Sequence, residues 1–142
     1  MIYIYMKLLT AFLLILLFLA IPVEAEPNWS QKQESIASGS QYSTDNIYSF
    51  QIIWTGSNES YIVSNVLFES NFPTLGDTLV NTTVSAISGN IYQINFSSLP
   101  AKNYVYRWYA VDNESNWNFT YQSSYSISKN NSATISLYLN GA

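Results

Sequence analysis

The chain has 142 residues, five lysines and arginines against nine acids, a net charge of −4, and neither histidine nor cysteine. Lacking those two side chains, it offers no Cys/His zinc site, no imidazole acid–base catalyst and no thiol nucleophile, and it has to fold without disulfides. Arg107 is the only arginine, so the clustered basic surface that neutralises phosphates is missing and nucleic acid is not an expected partner.

Lys7 is the one charge ahead of an apolar run over residues 8–21, which closes on Pro22-Val23-Glu24-Ala25. A basic start, an apolar stretch and a terminal small residue predict a secretory signal peptide over residues 1–25. The run is shorter than the ~20 residues of a membrane-spanning helix. The expected location is therefore extracellular or the cell surface, with membrane contact only through an uncleaved leader. The chain after the leader has the length of one domain.

Residues 26–40 are polar and contain Pro27 and Gly39, which reads as a tether leading into an edge strand near residues 38–44. The sandwich proper is expected over residues 41–130. Residues 48–54 put Tyr48, Phe50, Ile52 and Trp54 on one face, and residues 63–71 continue with Val66 and Phe68 inward and Leu67 and Glu69 outward. Pro73, Gly76 and Asp77 mark a turn. Strands over 78–86 and 91–96 are joined by Ser88-Gly89-Asn90, with glycine available for positive φ. Residues 97–103 make a corner into a strand over 104–112 whose Tyr104, Tyr106, Trp108 and Ala110 face in. After a turn at residues 112–116 the chain resumes at Trp117, and a last strand covers 122–129. Residues 131–142 form an extra strand or the start of a further domain.

Short alternating strands without a 3.6-residue period after the leader predict an all-β, antiparallel two-sheet sandwich. Trp54 and Trp108 should be buried and close in the gap of ~10 Å between the sheets. Because Val66/Phe68 and Tyr106/Trp108 point inward, Glu69 and Arg107 fall on a common outer face.

The runs YSFQIIW, VLFES, YQINFSSLPAKNYVYRWYAVDNESNWN and TISLYLNG, from about residue 48 to residue 141, resemble the immunoglobulin-like domains found in tandem on archaeal and bacterial surface proteins. The resemblance implies an immunoglobulin-like or fibronectin-III-like sandwich acting as a spacer, stalk or adhesive module. It also implies a tyrosine corner at Leu99-Pro100-Ala101-Lys102-Asn103-Tyr104. One departure is Ser115, where the family has glycine; Asn116 adopts a left-handed conformation more readily than serine.

N-x-S/T triplets begin at Asn28, Asn58, Asn81, Asn95, Asn113, Asn118 and Asn130, against roughly three or four expected by chance in so Asn/Ser/Thr-rich a chain. By alternation Asn95 opposes Ile94 and Phe96, Asn81 opposes Val80, and Asn118 opposes Trp117 and Phe119, while Asn58 and Asn113 fall in turns. Every triplet is thus expected to be able to carry a glycan.

The acids are scattered over strands and turns, unlike the converging carboxylate pair of a glycosidase. Asp112, Asn113 and Glu114 either supply oxygens to calcium or hydrogen-bond their own turn. Most aromatics take inward strand positions, leaving Trp29, Tyr109, Trp117 and Tyr121. The expected function is a non-catalytic secreted or cell-surface structural or adhesive module, N-glycosylated and without a cofactor, whose partners are other surface proteins or glycans. The alternative is a carbohydrate-binding module contacting its ligand through Arg107, Tyr109 and Trp117.

Overall fold

A computed structural model of the chain describes residues 26–72 and 77–129. The expected signal peptide, Pro73 and Gly76 of the expected turn, Asn130 and the 131–142 segment lie outside the described residues. Within them the chain forms strands β1 (Asn28–Glu34), β2 (Ile47–Thr55), β3 (Val63–Ser70), β4 (Val80–Thr83), β5 (Ala86–Ser88), β6 (Ile91–Ser97), β7 (Asn103–Asp112), β8 (Trp117–Phe119) and β9 (Ser123–Ser126). One sheet runs β1-β2-β6-β5; the other runs β4-β3-β7-β8, with β9 also paired to β7. All these pairs are antiparallel. The architecture is an all-β two-sheet sandwich, compatible with an immunoglobulin-like fold.

The period-2 pattern explains the core. Tyr48, Phe50, Ile52 and Trp54 of β2, Val66 and Phe68 of β3, and Tyr104, Tyr106, Trp108 and Ala110 of β7 are all buried. Fully burying a side chain of Phe size contributes about 1.5–3 kcal/mol, so the aromatics supply what disulfides cannot. The ring of Phe50 lies 5.0 Å from that of Tyr106 and 5.1 Å from that of Tyr125, linking the two sheets. Trp54 and Trp108 are completely buried. The ring neighbour of Trp108 is Phe68, edge-on at 4.7 Å, and no ring contact joins the two indoles among the described residues. Neither indole N–H has a hydrogen-bond partner there, a cost that close packing has to offset.

Three expectations need correction. First, residues 28–34 are no tether but the edge strand β1, which pairs with β2 so that Trp29 opposes Trp54. Its register shifts between Ser30 and Gln33, and Gln31 has φ +49°. A bulge of this kind breaks the alternation that announces a strand. Second, the stretch near residues 38–44 makes only a parallel bridge, Gln41 to Ser128, supported by Tyr42 N–H donating to the Ser128 carbonyl at 2.9 Å. The chain thus crosses from the first sheet to the second. Third, the strand expected over 78–86 is two strands in different sheets. Val84 N–H still donates to the Val66 carbonyl of β3, at 2.9 Å, and the chain then turns away to pair β5 with β6.

Side chains close the flank where β1 faces β8 and β9. The Tyr106 hydroxyl donates to Glu34 at 2.7 Å, and the Tyr125 hydroxyl donates to the Ile36 carbonyl at 2.8 Å. Burial pushes both phenols up, Tyr125 to about 12, so they remain neutral donors. Elsewhere the expected features hold. Gly89 turns the β5–β6 hairpin with φ +51°, and the Tyr104 hydroxyl donates to the Pro100 carbonyl at 2.7 Å.

Candidate functional site

The two outer faces of the sandwich differ chemically. On the first sheet, Ser49 pairs with Asn95 and Gln51 with Gln93, an uncharged strip of amides and hydroxyls between Ile47 at one end and the Ile53–Ile91 pair at the other. On the second, the register sets Glu69 against Arg107, Leu67 against Tyr109, Tyr109 against Phe119, and Val111 against Trp117. Arg107 Nε donates to Glu69 Oε2 at 2.6 Å, and its guanidinium lies 4.7 Å from the Tyr109 ring centroid. The Tyr109 hydroxyl donates to the same carboxylate oxygen at 3.3 Å. The bond to Glu69 raises the arginine above its ordinary pKa.

Toward β8 the face is apolar, while toward β4 it carries Asn81 opposite Glu69 and Thr83 opposite Leu67. Trp117 and Phe119 are 49% and 54% exposed, and Phe119 sits 6.0 Å from Tyr109 between ring centroids. Rings held on a rigid sheet can stack a sugar or a partner's apolar side chain. Of the three candidate contact residues, the structure brings Arg107 and Tyr109 into direct contact. Trp117 lies beyond Phe119 on β8. Sequence reasoning misses Phe119, although its alternation with Trp117 places the two on one face. Because the Glu69–Arg107 pair is partly exposed, a double-mutant cycle with Glu69→Gln and Arg107→Gln should return a coupling of about 0.2–1 kcal/mol. A coupling of zero would mean that the pair is as good as solvated.

The turn between β7 and β8 aims Trp117. Asp112 Oδ1 accepts the N–H groups of Glu114 and Asn116, both at 2.9 Å, and Oδ2 accepts the Asn116 side-chain amide at 3.1 Å. The carboxylate is thereby used by its own turn, and among the described residues no three acids cluster as a metal site. Burial pushes the Asp112 carboxyl up, but these bonds outweigh it and hold it below the ordinary carboxylate value. A depressed folded-state pKa stabilises above the unfolded value near 4 and loses that stabilisation as pH falls through the folded one. Acid titration followed by Trp fluorescence should show unfolding that begins below about pH 4. Asp112→Asn should be less stable at neutral pH and flatter in that range; an unchanged acid limb would rule out Asp112 as a contributor.

Ser115, not Asn116, takes the left-handed conformation, with φ +71°. The turn geometry is fixed by Asp112 from both sides, so the residue at its strained position is decided by register rather than by local preference. Ser115→Gly should therefore stabilise the domain by about 0.5–1 kcal/mol, read as an upward shift of the urea midpoint at constant m. A loss of stability would show that the serine side chain contributes something the turn needs.

The triplet asparagines fall into two groups. Asn118 is half-buried and the other described ones are exposed, but only Asn28, Asn58, Asn81 and Asn95 leave the side-chain nitrogen unbonded among the described residues. Asn113 clamps the neighbouring loop, accepting the Ile62 N–H at 2.9 Å and donating Nδ2 to the Ser60 carbonyl at 3.2 Å. Asn118 opposes the buried Ala110, so on β8 the asparagine faces inward and Trp117 and Phe119 face out. Its Nδ2 donates to the Pro27 carbonyl at 2.7 Å. No family model and no curated protein matches the chain.

Proposed function

We propose that the chain is an exported, non-catalytic sandwich that serves as an N-glycosylated structural or adhesive module of a cell surface, of the immunoglobulin-like kind carried by archaeal and bacterial surface proteins. The observation that carries the reading is the placement of Asn81 and Asn95. They stand exposed on the outer faces of opposite sheets, opposite Glu69 and Ser49 respectively. Sugar on both faces would solubilise a domain with few charges without touching its core. The tyrosine corner and the two-sheet strand order support the immunoglobulin-like part of the reading. Partners would be other surface proteins or glycans.

Intact mass and N-terminal sequencing of the secreted protein test it together. The reading expects a mature N-terminus at Glu26 and a mass above that of the bare polypeptide. A secreted chain that begins at Met1 and carries no added mass would overturn it.

A second reading, carbohydrate binding, is favoured by the exposed Trp117 and Phe119 beside Tyr109. Retention on immobilised polysaccharide, lost on Tyr109→Ala or Trp117→Ala, would select it over the spacer reading. Absence of retention on a broad glycan panel would select the spacer.

A further inference from the structure

The glycoprotein reading leaves open which triplets accept sugar, and their side-chain nitrogens differ in a way that answers it. The glycan is attached at Nδ2, and the acceptor triplet includes the hydroxyl two residues on. For Asn118 both are engaged. Its nitrogen donates to the carbonyl of the buried Pro27, and the Thr120 hydroxyl, 1% exposed, accepts the Trp108 N–H at 3.1 Å. For Asn113 the amide is bonded at both ends to the loop carrying Ser60 and Ile62. Attaching a sugar at either nitrogen would crowd a bond that holds two segments together.

The other described triplets show the opposite pattern. Asn58 uses only its oxygen, accepting the Ser60 N–H at 2.8 Å, and Asn95 uses only its oxygen, accepting Gln93 Nε2 at 2.9 Å. Asn28 and Asn81 are exposed strand residues with no side-chain hydrogen bond among the described residues. In all four the nitrogen is free and faces solvent.

We infer that Asn28, Asn58, Asn81 and Asn95 are the sugar-bearing asparagines among the described residues, and that Asn113 and Asn118 are structural amides whose triplets stay bare. This rests on the glycoprotein reading above. Its consequence is spatial. The two engaged asparagines flank Trp117 in sequence, so β8 itself carries no sugar, while sugar occupies the first sheet, the β4 edge and the β2–β3 loop.

Glycopeptide mapping of the folded protein from a secretory host that attaches N-glycans tests the partition. Sugar is expected on peptides containing Asn28, Asn58, Asn81 and Asn95 and on neither Asn113 nor Asn118. Occupancy at Asn113 or Asn118 matching that at Asn81 or Asn95 would overturn the partition while leaving the glycoprotein reading intact. A protein bare at all six would overturn both. The structural half has its own readout in unglycosylated protein, where Asn→Asp replaces the donor nitrogen by an oxygen. Asn113→Asp and Asn118→Asp should each lower Tm by roughly 5–10 °C. The same change at Asn58 or Asn95 should shift it by less than about 3 °C. Equal shifts across the series would overturn the structural assignment.

Discussion

Phe72→Ala should lower the unfolding free energy by about 3–5 kcal/mol, the range for removing a buried phenylalanine. Phe72 lies just past the end of β3 and is 4% exposed. Its ring lies 4.8 Å from Tyr104, nearly parallel at 15°, with Phe96 at 5.0 Å and Phe50 at 4.8 Å. It therefore joins β2, β6 and β7 at the end of the sandwich where the corner lies. Truncation leaves a cavity among three large rings, whose rigidity limits collapse. Since domains hold about 5–15 kcal/mol in total, the variant should be unfolded or nearly so at moderate urea, while Tyr121→Ala, at an 87% exposed position, should fall within about 0.5 kcal/mol of the parent. A Phe72 variant losing under about 1 kcal/mol would place the ring outside the energetic core.

Phe72 also shows where sequence reading stops. The inward sets of β2, β3 and β7 were legible because a strand buried on one face and partly solvated on the other must alternate, and large residues at every second position satisfy nothing else. Phe72 keeps the phase of Val66, Phe68 and Ser70 but sits past the end of β3, before Pro73, where the local signal is a turn. Only the folded chain brings it to the distant Tyr104. The same limit hid β1. An edge strand has one neighbour and one partly covered face, so its residues can be polar, and the bulge at Gln31 removed what periodicity remained. Nothing in the pattern over 78–86 marks the change of sheet after Val84, because a strand that pairs first with β3 and then with β6 looks locally like one strand.

The candidate face was legible in part for a related reason. Glu69 and Arg107 could be matched because the inward residues beside them fix both registers. At β8, three residues long, alternation alone assigns Trp117 and Asn118 to opposite faces without saying which is inside. The pairing of Asn118 with buried Ala110 decides it. A residue's hydrogen-bond partners are set by tertiary position, and so the division of the triplets between free and engaged amides could not be read from the triplets themselves.

Tyr104→Phe should cost about 1–3 kcal/mol, the penalty for leaving a buried polar group without its partner. The hydroxyl donates to the Pro100 carbonyl at 2.7 Å from a side chain 2% exposed, and burial raises its pKa, so it is a neutral donor at any physiological pH. The substitution keeps the ring, and with it the stack on Phe72 and the Lys102 ammonium 5.9 Å from the ring centroid. It removes the link between β7 and the corner, where Ser98 is held at φ +54°. Pro100 itself is exposed, so water can reach the freed carbonyl and the loss should lie in the lower half of the range. Urea denaturation of the Tyr104→Phe, Phe72→Ala and double variants separates the bond from the stack. Near-additive losses would mean that the corner bond and the ring contact stabilise independently. A Phe variant as stable as its parent would instead assign the corner's geometry to ring packing alone, and the hydroxyl would then be a bystander at the end of a well-packed strand.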